Sequence, residues 1–217
     1  MRLEKMALFF ENRLAGYDEH MRADIEGAGE FYKFTAAQLP SAADGAVLDL
    51  GCGTGLELEE YLALNPSVRV TGIDLSNGML AALKNKFPDK GLELICGSYF
   101  DVPFGYDRFD AAVSVESLHH FTFERKLSLY KKLFASLKAD GYFILTDYFA
   151  ESEALEREYF EHLQQLKSEQ GISDGEFYHY DTPLTVEHEM QALQLAGFSR
   201  CETLKNWGAT YTVKAVR

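Results

Sequence analysis

Gly51, Gly53 and Gly55 stand at alternate positions directly after the apolar run Val47-Leu48-Asp49-Leu50. A turn built this way can take positive φ and let a ligand touch bare main chain, since no Cβ intervenes. Its N–H groups, at the start of a following helix, suit a carboxylate or phosphate. Asp49 lies where the run ends, so its carboxylate can hold the turn or receive a cationic group. A second acid, Asp74, closes the run 68–73. A carboxylate there can accept hydrogen bonds from two neighbouring hydroxyls, and such charge-assisted bonds contribute about 1.5–3 kcal/mol each. Further on, Val115-Glu116-Ser117-Leu118-His119-His120-Phe121 puts a carboxyl group and two imidazoles in one short segment. Imidazole changes charge between about pH 5 and 8, which suits it to moving protons. No Gly-x-Ser-x-Gly elbow supports nucleophilic hydrolysis. No grouping of His, Cys, Asp and Glu has a metal-ligand spacing, so no metal is expected.

The elements that must position these residues alternate. Leu3, Met6, Ala7, Phe10 and Leu14 recur at helical spacing, and Ile25, Ala28, Phe31, Tyr32 and Leu39 mark a second helix ended by Pro40. Strands are predicted at 46–50, 68–73, 92–96, 109–115 and 142–146, the last entered by a turn at Asp140-Gly141. Helices are predicted between them at 56–64, from a Ser76 cap to Phe87, and at 123–138. The rhythm breaks over 148–184, where Leu155, Tyr159, Leu163 and Leu166 mark a helix and Phe177-Tyr178-His179-Tyr180 a polar loop. A helix from Thr185 to Gly197 follows, and strands at 199–206 and 210–216, joined at Trp207-Gly208, must be antiparallel because their connection is so short. The fold class is therefore α/β, with a doubly wound, mostly parallel seven-stranded sheet. It carries an antiparallel C-terminal hairpin, N-terminal helices (1–40) and a helical lid insertion (148–184), all within one domain, 1–217.

With 217 residues, the chain is long enough for a substantial core. A net charge of −13 and the lack of a basic run disfavour nucleic acid as a partner and favour a small molecule. No apolar run approaches the roughly 20 residues of a membrane span, and no signal-like segment opens the sequence. Three cysteines without C-x-x-C spacing fit reduced thiols, and hence the cytoplasm.

The segment Val-Leu-Asp-Leu-Gly-Cys-Gly-Thr-Gly at 47–55 resembles motif I of the class I S-adenosylmethionine-dependent methyltransferases. The dinucleotide fingerprint G-x-G-x-x-G fits less well, because Leu56 stands where its third glycine belongs. The terminal hairpin extends the resemblance over about 42–217. It implies S-adenosyl-L-methionine as cofactor, its amino-acid end held by Asp49, Gly51, Cys52 and Gly53 and its ribose by Asp74, with Leu75 and Met79 alongside. Ser98 occupies a position where the family commonly carries an acid that meets the adenine amino group; the serine is a departure, and Tyr99 is expected beside the adenine. The segment 115–121 looks like the motif IV region beside the transferring methyl, which puts Glu116 near the cofactor. His120 is then a general base, unless both histidines simply pack. An N-terminal Tyr-Asp pair recurs in many relatives, so Tyr17, with Met21, is expected to cover the cofactor. The insertion takes the place where relatives build substrate specificity, with Tyr148, Tyr178, His179 and Tyr180 lining the acceptor pocket; aromatic packing of the lid onto the body accounts for the same residues. Transfer to a small molecule is the reading. RNA (tRNA) modification, use of a carboxylated cofactor, a nicotinamide-dependent oxidoreductase and a non-catalytic binding protein are its rivals.

Overall fold

Strands buried on both faces need apolar side chains on both, and the apolar runs of the sequence become five adjacent parallel strands. The computed structural model describes residues 1–173 and 175–217. β1 (Ala46–Leu50), β2 (Arg69–Asp74), β3 (Glu93–Cys96), β4 (Phe109–Val115) and β5 (Leu137–Tyr148) join the antiparallel β6 (Arg200–Trp207) and β7 (Thr210–Val216) in the order β3-β2-β1-β4-β5-β7-β6. Side chains alternate across the sheet. Val47, Val113 and Ile144 face α3 (Ala28–Ala37) and α4 (Leu56–Leu64), while Leu48, Leu50, Ala112, Phe143 and Leu145 face α6 (Phe123–Ser136) and α8 (Val186–Ala196). Strand order reverses between β1 and β4, so their carboxyl ends open the crevice where such sheets bind ligands.

α6 and α8 are tied together by a buried Lys126–Glu189 ion pair at 2.5 Å, and Tyr130 also donates to Glu189. α5 (Asn77–Lys86) starts at Ser76, whose hydroxyl accepts from the Met79 N–H at 3.1 Å, as the sequence predicted. Among the described residues no helix is long and apolar enough to cross a membrane, and the three cysteines are free thiols.

Three departures from the sequence reading have local causes. The N-terminal region forms three helices, α1 (Met6–Arg13), α2 (Tyr17–Ala23) and α3, because Gly16 and Gly27 take left-handed conformations immediately before α2 and α3. Asp140-Gly141 lies inside β5 instead of turning the chain. Pairing with β4 jumps from Phe109–Leu137 to Ala111–Tyr142, so the extra residues form a bulge. The loop after α7 (Glu153–Glu169) is also paired: Met6 N–H donates to Phe177 C=O and His179 N–H to Glu4 C=O, both at 2.9 Å. Leu3 packs on Leu163 and Leu166. The N-terminal segment and the insertion thus form one continuous cover over the crevice.

Candidate active site

The glycine turn is shaped by what surrounds it. Gly51, at φ +78°, leaves room for Ser117, because a Cβ there would lie 2.0 Å from the Ser117 hydroxyl. Gly51 N–H donates to Ile73 C=O at 2.8 Å, which pins the turn to β2. The Asp74 carboxylate accepts from Gly53 N–H at 2.9 Å and from Ser76 N–H at 2.8 Å. Burial raises its pKa, and these main-chain donors pull it back down. Behind the turn Asp49 is buried, and its pKa is driven well up by desolvation and by the neighbouring Glu57. The loop 99–102 is held by Lys132, whose ammonium donates to the carbonyls of Tyr99, Phe100 and Val102 at 2.5, 2.8 and 3.0 Å.

A cavity of about 50 Å³ lies over this turn. Its wall brings together Tyr17, Gly51, Gly53, Asp74, Leu75, Met79, Tyr99, Glu116 and His120, nine of the residues named from sequence, and Met6 and Phe10 roof it. Asp49 and Cys52 lie behind the wall; the Cys52 sulfur packs where a Cβ on Gly72 would sit 2.8 Å away. A second, larger cavity of about 710 Å³ adjoins it, and Phe10, Tyr17, Glu116 and His120 belong to both walls. Met21, Tyr148 and His179 line the larger one, with Phe9, His119 and Asp181.

Ser98, Tyr178 and Tyr180 line neither cavity. The Ser98 hydroxyl accepts from Phe100 N–H at 3.1 Å, capping its own turn. Tyr178 donates to Glu176 at 3.0 Å, and the Tyr180 hydroxyl pairs with His162 at 2.7 Å. Only the main chain of Tyr180 serves the site, its carbonyl lying 3.3 Å from His120 Nδ1.

The shared wall carries a connected set of titratable groups. His119 Nδ1 bonds to the Asp147 carboxylate at 2.5 Å, and His119 Nε2 lies 3.6 Å from Asp181. Burial alone would strip the proton from His119, but the charge of Asp147 overrides it and lifts the pKa to about 9. His120 Nδ1 lies 3.1 Å from Asp181. Its pKa is lowered by burial and by the positive charge of His119. Neutral at physiological pH, with Nδ1 turned to Asp181 and Tyr180, His120 has its Nε2 lone pair left to accept a proton. Glu116 is held at φ +47°, a conformation rare for a residue with a side chain. Burial and the charge of Asp147 push its carboxyl up to about 7.

Asp147 and Asp181 were missed from sequence. Asp147 lies one residue before the end of β5, much as Asp74 ends β2, so the same signal was available. Asp181 lies far along the chain, with no periodicity to single it out. The fold also gathers His119, His120 and Asp181 with their polar atoms within 4.8 Å of one another, a convergence that no spacing in the sequence shows.

Residues 47–141 match the model of a family described as a methyltransferase domain. A tRNA (carboxymethyluridine(34)-5-O)-methyltransferase of Arabidopsis thaliana is 35% identical over 120 residues, 54% of this chain and 28% of that protein. An uncharacterized methyltransferase of Staphylococcus carnosus is 31% identical over 152 residues, 70% of this chain and 66% of that one. The chain spans between 28% and 64% of the length of the first curated relatives it matches. The crystal structure of a putative O-methyltransferase from Nostoc punctiforme superposes with a TM-score of 0.74 at 19% identity, covering 100% of this chain and 63% of that one, which shows a shared fold. Strand order, the glycine turn between β1 and α4, and the matched segment agree: residues 47–141 carry a methyltransferase domain, and the chain is similar to the class I S-adenosylmethionine-dependent methyltransferases.

Proposed function

We propose that this protein is a cytoplasmic, single-domain enzyme that transfers a methyl group from S-adenosylmethionine to a small-molecule acceptor by in-line displacement, without a metal. The observation that carries the proposal is the pair of adjoining cavities whose common wall holds His120. The residues fit the cofactor. The turn at Gly51 and Gly53 gives main-chain access, Asp74 stands at the tip of β2 for the ribose hydroxyls, and Asp49 has two buried oxygens without a partner. When bound, the cofactor supplies an electrophilic methyl on a cationic sulfur that becomes neutral on transfer.

The chain's own residues do the rest. A cavity of about 50 Å³ is well short of the roughly 300 Å³ of a small-molecule site, so Met6, Phe10 and Tyr17 swing outward to admit the cofactor and close over it. Closure aligns the two reactants and keeps water out, and alignment of this kind contributes about 7–11 kcal/mol at best. Phe9, Phe10, Tyr17 and Tyr148 give the acceptor cavity flat apolar walls suited to a planar molecule. His120 Nε2 takes the acceptor's proton, with Asp181 steadying the ring through Nδ1. His119, bonded to Asp147, places a positive charge beside His120 that keeps the base neutral.

The methyltransferase match over residues 47–141 sets the nicotinamide reading aside. Methylation of a tRNA nucleoside is a second reading, supported by the name of the Arabidopsis relative. Against it, Arg13, which lines the larger cavity, is already paired with Glu4 at 3.0 Å. The experiment incubates the purified protein with methyl-labelled S-adenosylmethionine and, separately, the small-molecule and tRNA fractions of a cell extract. Label in the first fraction supports the proposal. Label confined to tRNA overturns it.

A further inference from the structure

Asp49 and Glu57 face each other beneath the glycine turn with nothing to satisfy them. Asp49, in β1, is 1% exposed, and Glu57, in the first turn of α4, is 5% exposed. Both oxygens of Asp49 and one of Glu57 are buried without a hydrogen-bond partner among the described residues. Buried polar atoms are nearly always partnered, so three orphaned oxygens at one place mark an absent donor.

The charges around the pair give no relief. Asp74 approaches from the tip of β2 and adds negative potential to both groups. From α5, Lys86 draws the Glu57 pKa down, yet its ammonium is already bound to Asp18. The Cys52 thiol and the Tyr17 phenol, which face the same carboxyls, keep their protons because burial and the negative charges favour the neutral forms. Two carboxylates in contact in a dry site do not both ionise. A single proton between them makes one O–H···O bond. An ammonium, with three donors and a full positive charge, satisfies the same oxygens better. Gly51 and Gly53, which line the ligand cavity, belong to the turn that joins Asp49 to the helix bearing Glu57, so the pair lies behind that cavity's wall.

We propose that Asp49 and Glu57 hold one proton between them in the ligand-free protein, and that the α-ammonium of the cofactor's amino acid takes its place. Glu57 thereby becomes a cofactor-binding residue, and cofactor capture becomes a proton-releasing step. The exchange balances: the shared O–H bond breaks and its proton goes to bulk water. The arriving ammonium keeps its three N–H bonds and donates them to two carboxylates. One positive charge replaces another, so the buried cluster never carries the cost of an uncompensated second anion. The inference rests on the S-adenosylmethionine reading above.

The test is isothermal calorimetry of S-adenosylhomocysteine binding at neutral pH, in phosphate, Hepes and Tris, whose ionisation enthalpies differ. The dependence of heat on buffer counts the protons released. The wild-type protein should release roughly one, and 5′-methylthioadenosine, which has the nucleoside but no ammonium, should release none. Glu57→Gln should bind S-adenosylhomocysteine with the release abolished. Wild-type binding with no buffer-dependent heat overturns the proposal. So does undiminished release in the Glu57→Gln variant, which would put the proton on Asp74 or Glu116. Failure of the wild-type protein to bind S-adenosylhomocysteine at all would refute the methyltransferase reading too, whereas binding without release refutes only this inference.

Discussion

Replacing Gly51 by alanine tests the geometry of the cofactor turn without knowledge of the acceptor. Alanine at φ +78° costs about 1–2 kcal/mol in backbone strain. The new Cβ would also lie 2.0 Å from the Ser117 hydroxyl and 2.6 Å from its Cβ, so Ser117 must move. Overpacking of that kind adds about 1–3 kcal/mol, for a total of about 2–5 kcal/mol. The control is Gly53→Ala: its φ of +47° carries backbone strain, but its nearest neighbour would be a carbonyl oxygen at 4.0 Å. Urea unfolding should therefore show Gly51→Ala to be the less stable variant by about 1–3 kcal/mol. Adding Ser117→Gly to Gly51→Ala should recover most of that difference, since the two positions are in contact and couple. Ser117 also holds the Tyr99 hydroxyl at 3.3 Å on the cavity wall. S-adenosylhomocysteine affinity should thus fall at least about tenfold in Gly51→Ala, equivalent to about 1.4 kcal/mol. Equal stabilities for the two alanine variants, or no recovery in the double variant, would refute the reasoning.

With the acceptor found by label transfer, His120→Gln should lower kcat/KM by about 10²–10⁴ and abolish the acid limb of the pH profile, which in the wild type has its inflection below the ordinary histidine value. His119→Gln removes a positive charge that helps keep His120 unprotonated, so the inflection should move to higher pH. The same variant tests stability. A folded pKa of about 9 against an unfolded 6.5 means that His119 stabilises fully below pH 6.5 and loses this as pH rises through 9. The decline is worth roughly 3 kcal/mol, and urea titrations across that range should show it flattened in His119→Gln. Lys126→Met leaves Glu189 buried with Tyr130 as its remaining partner and should cost about 3–5 kcal/mol in urea unfolding.

The sheet was legible because parallel strands buried on both faces must be apolar throughout, and the runs at 46–50 and 109–115 advertise this. Asp74 was legible as an acid at a strand tip. Asp147 follows the apolar run 142–146 just as Asp74 follows 68–73, so it carries the same signal. The insertion was misjudged in its detail for a simple reason. Tyr178 is bridged to Lys5 and His179 N–H donates to Glu4 C=O, so the two side chains leave this paired backbone on different sides. His179 turns inward and stacks on Phe9, whereas the Tyr178 and Tyr180 hydroxyls are taken up by Glu176 and His162. Asp181 was illegible, because only the return of the insertion over the crevice brings it to His120.

The distribution of charge around the two cavities matches what methyl transfer requires. An anion fixed beside a sulfonium stabilises it more before transfer than in the transition state, where the positive charge is already fading, and so raises the barrier. Asp49, Glu57 and Asp74 lie around the glycine turn and the tip of β2, at the ends of the ligand whose charge does not change. At the wall shared with the acceptor cavity, Glu116 is pushed up to about 7 and bonded by the Thr210 hydroxyl at 3.1 Å, so it carries less than a full charge near neutrality. His120 beside it is uncharged. Binding energy is thus drawn from groups remote from the reacting sulfur, while at the shared wall the protonated His119 offsets the charge of the Asp147 carboxylate it is bonded to.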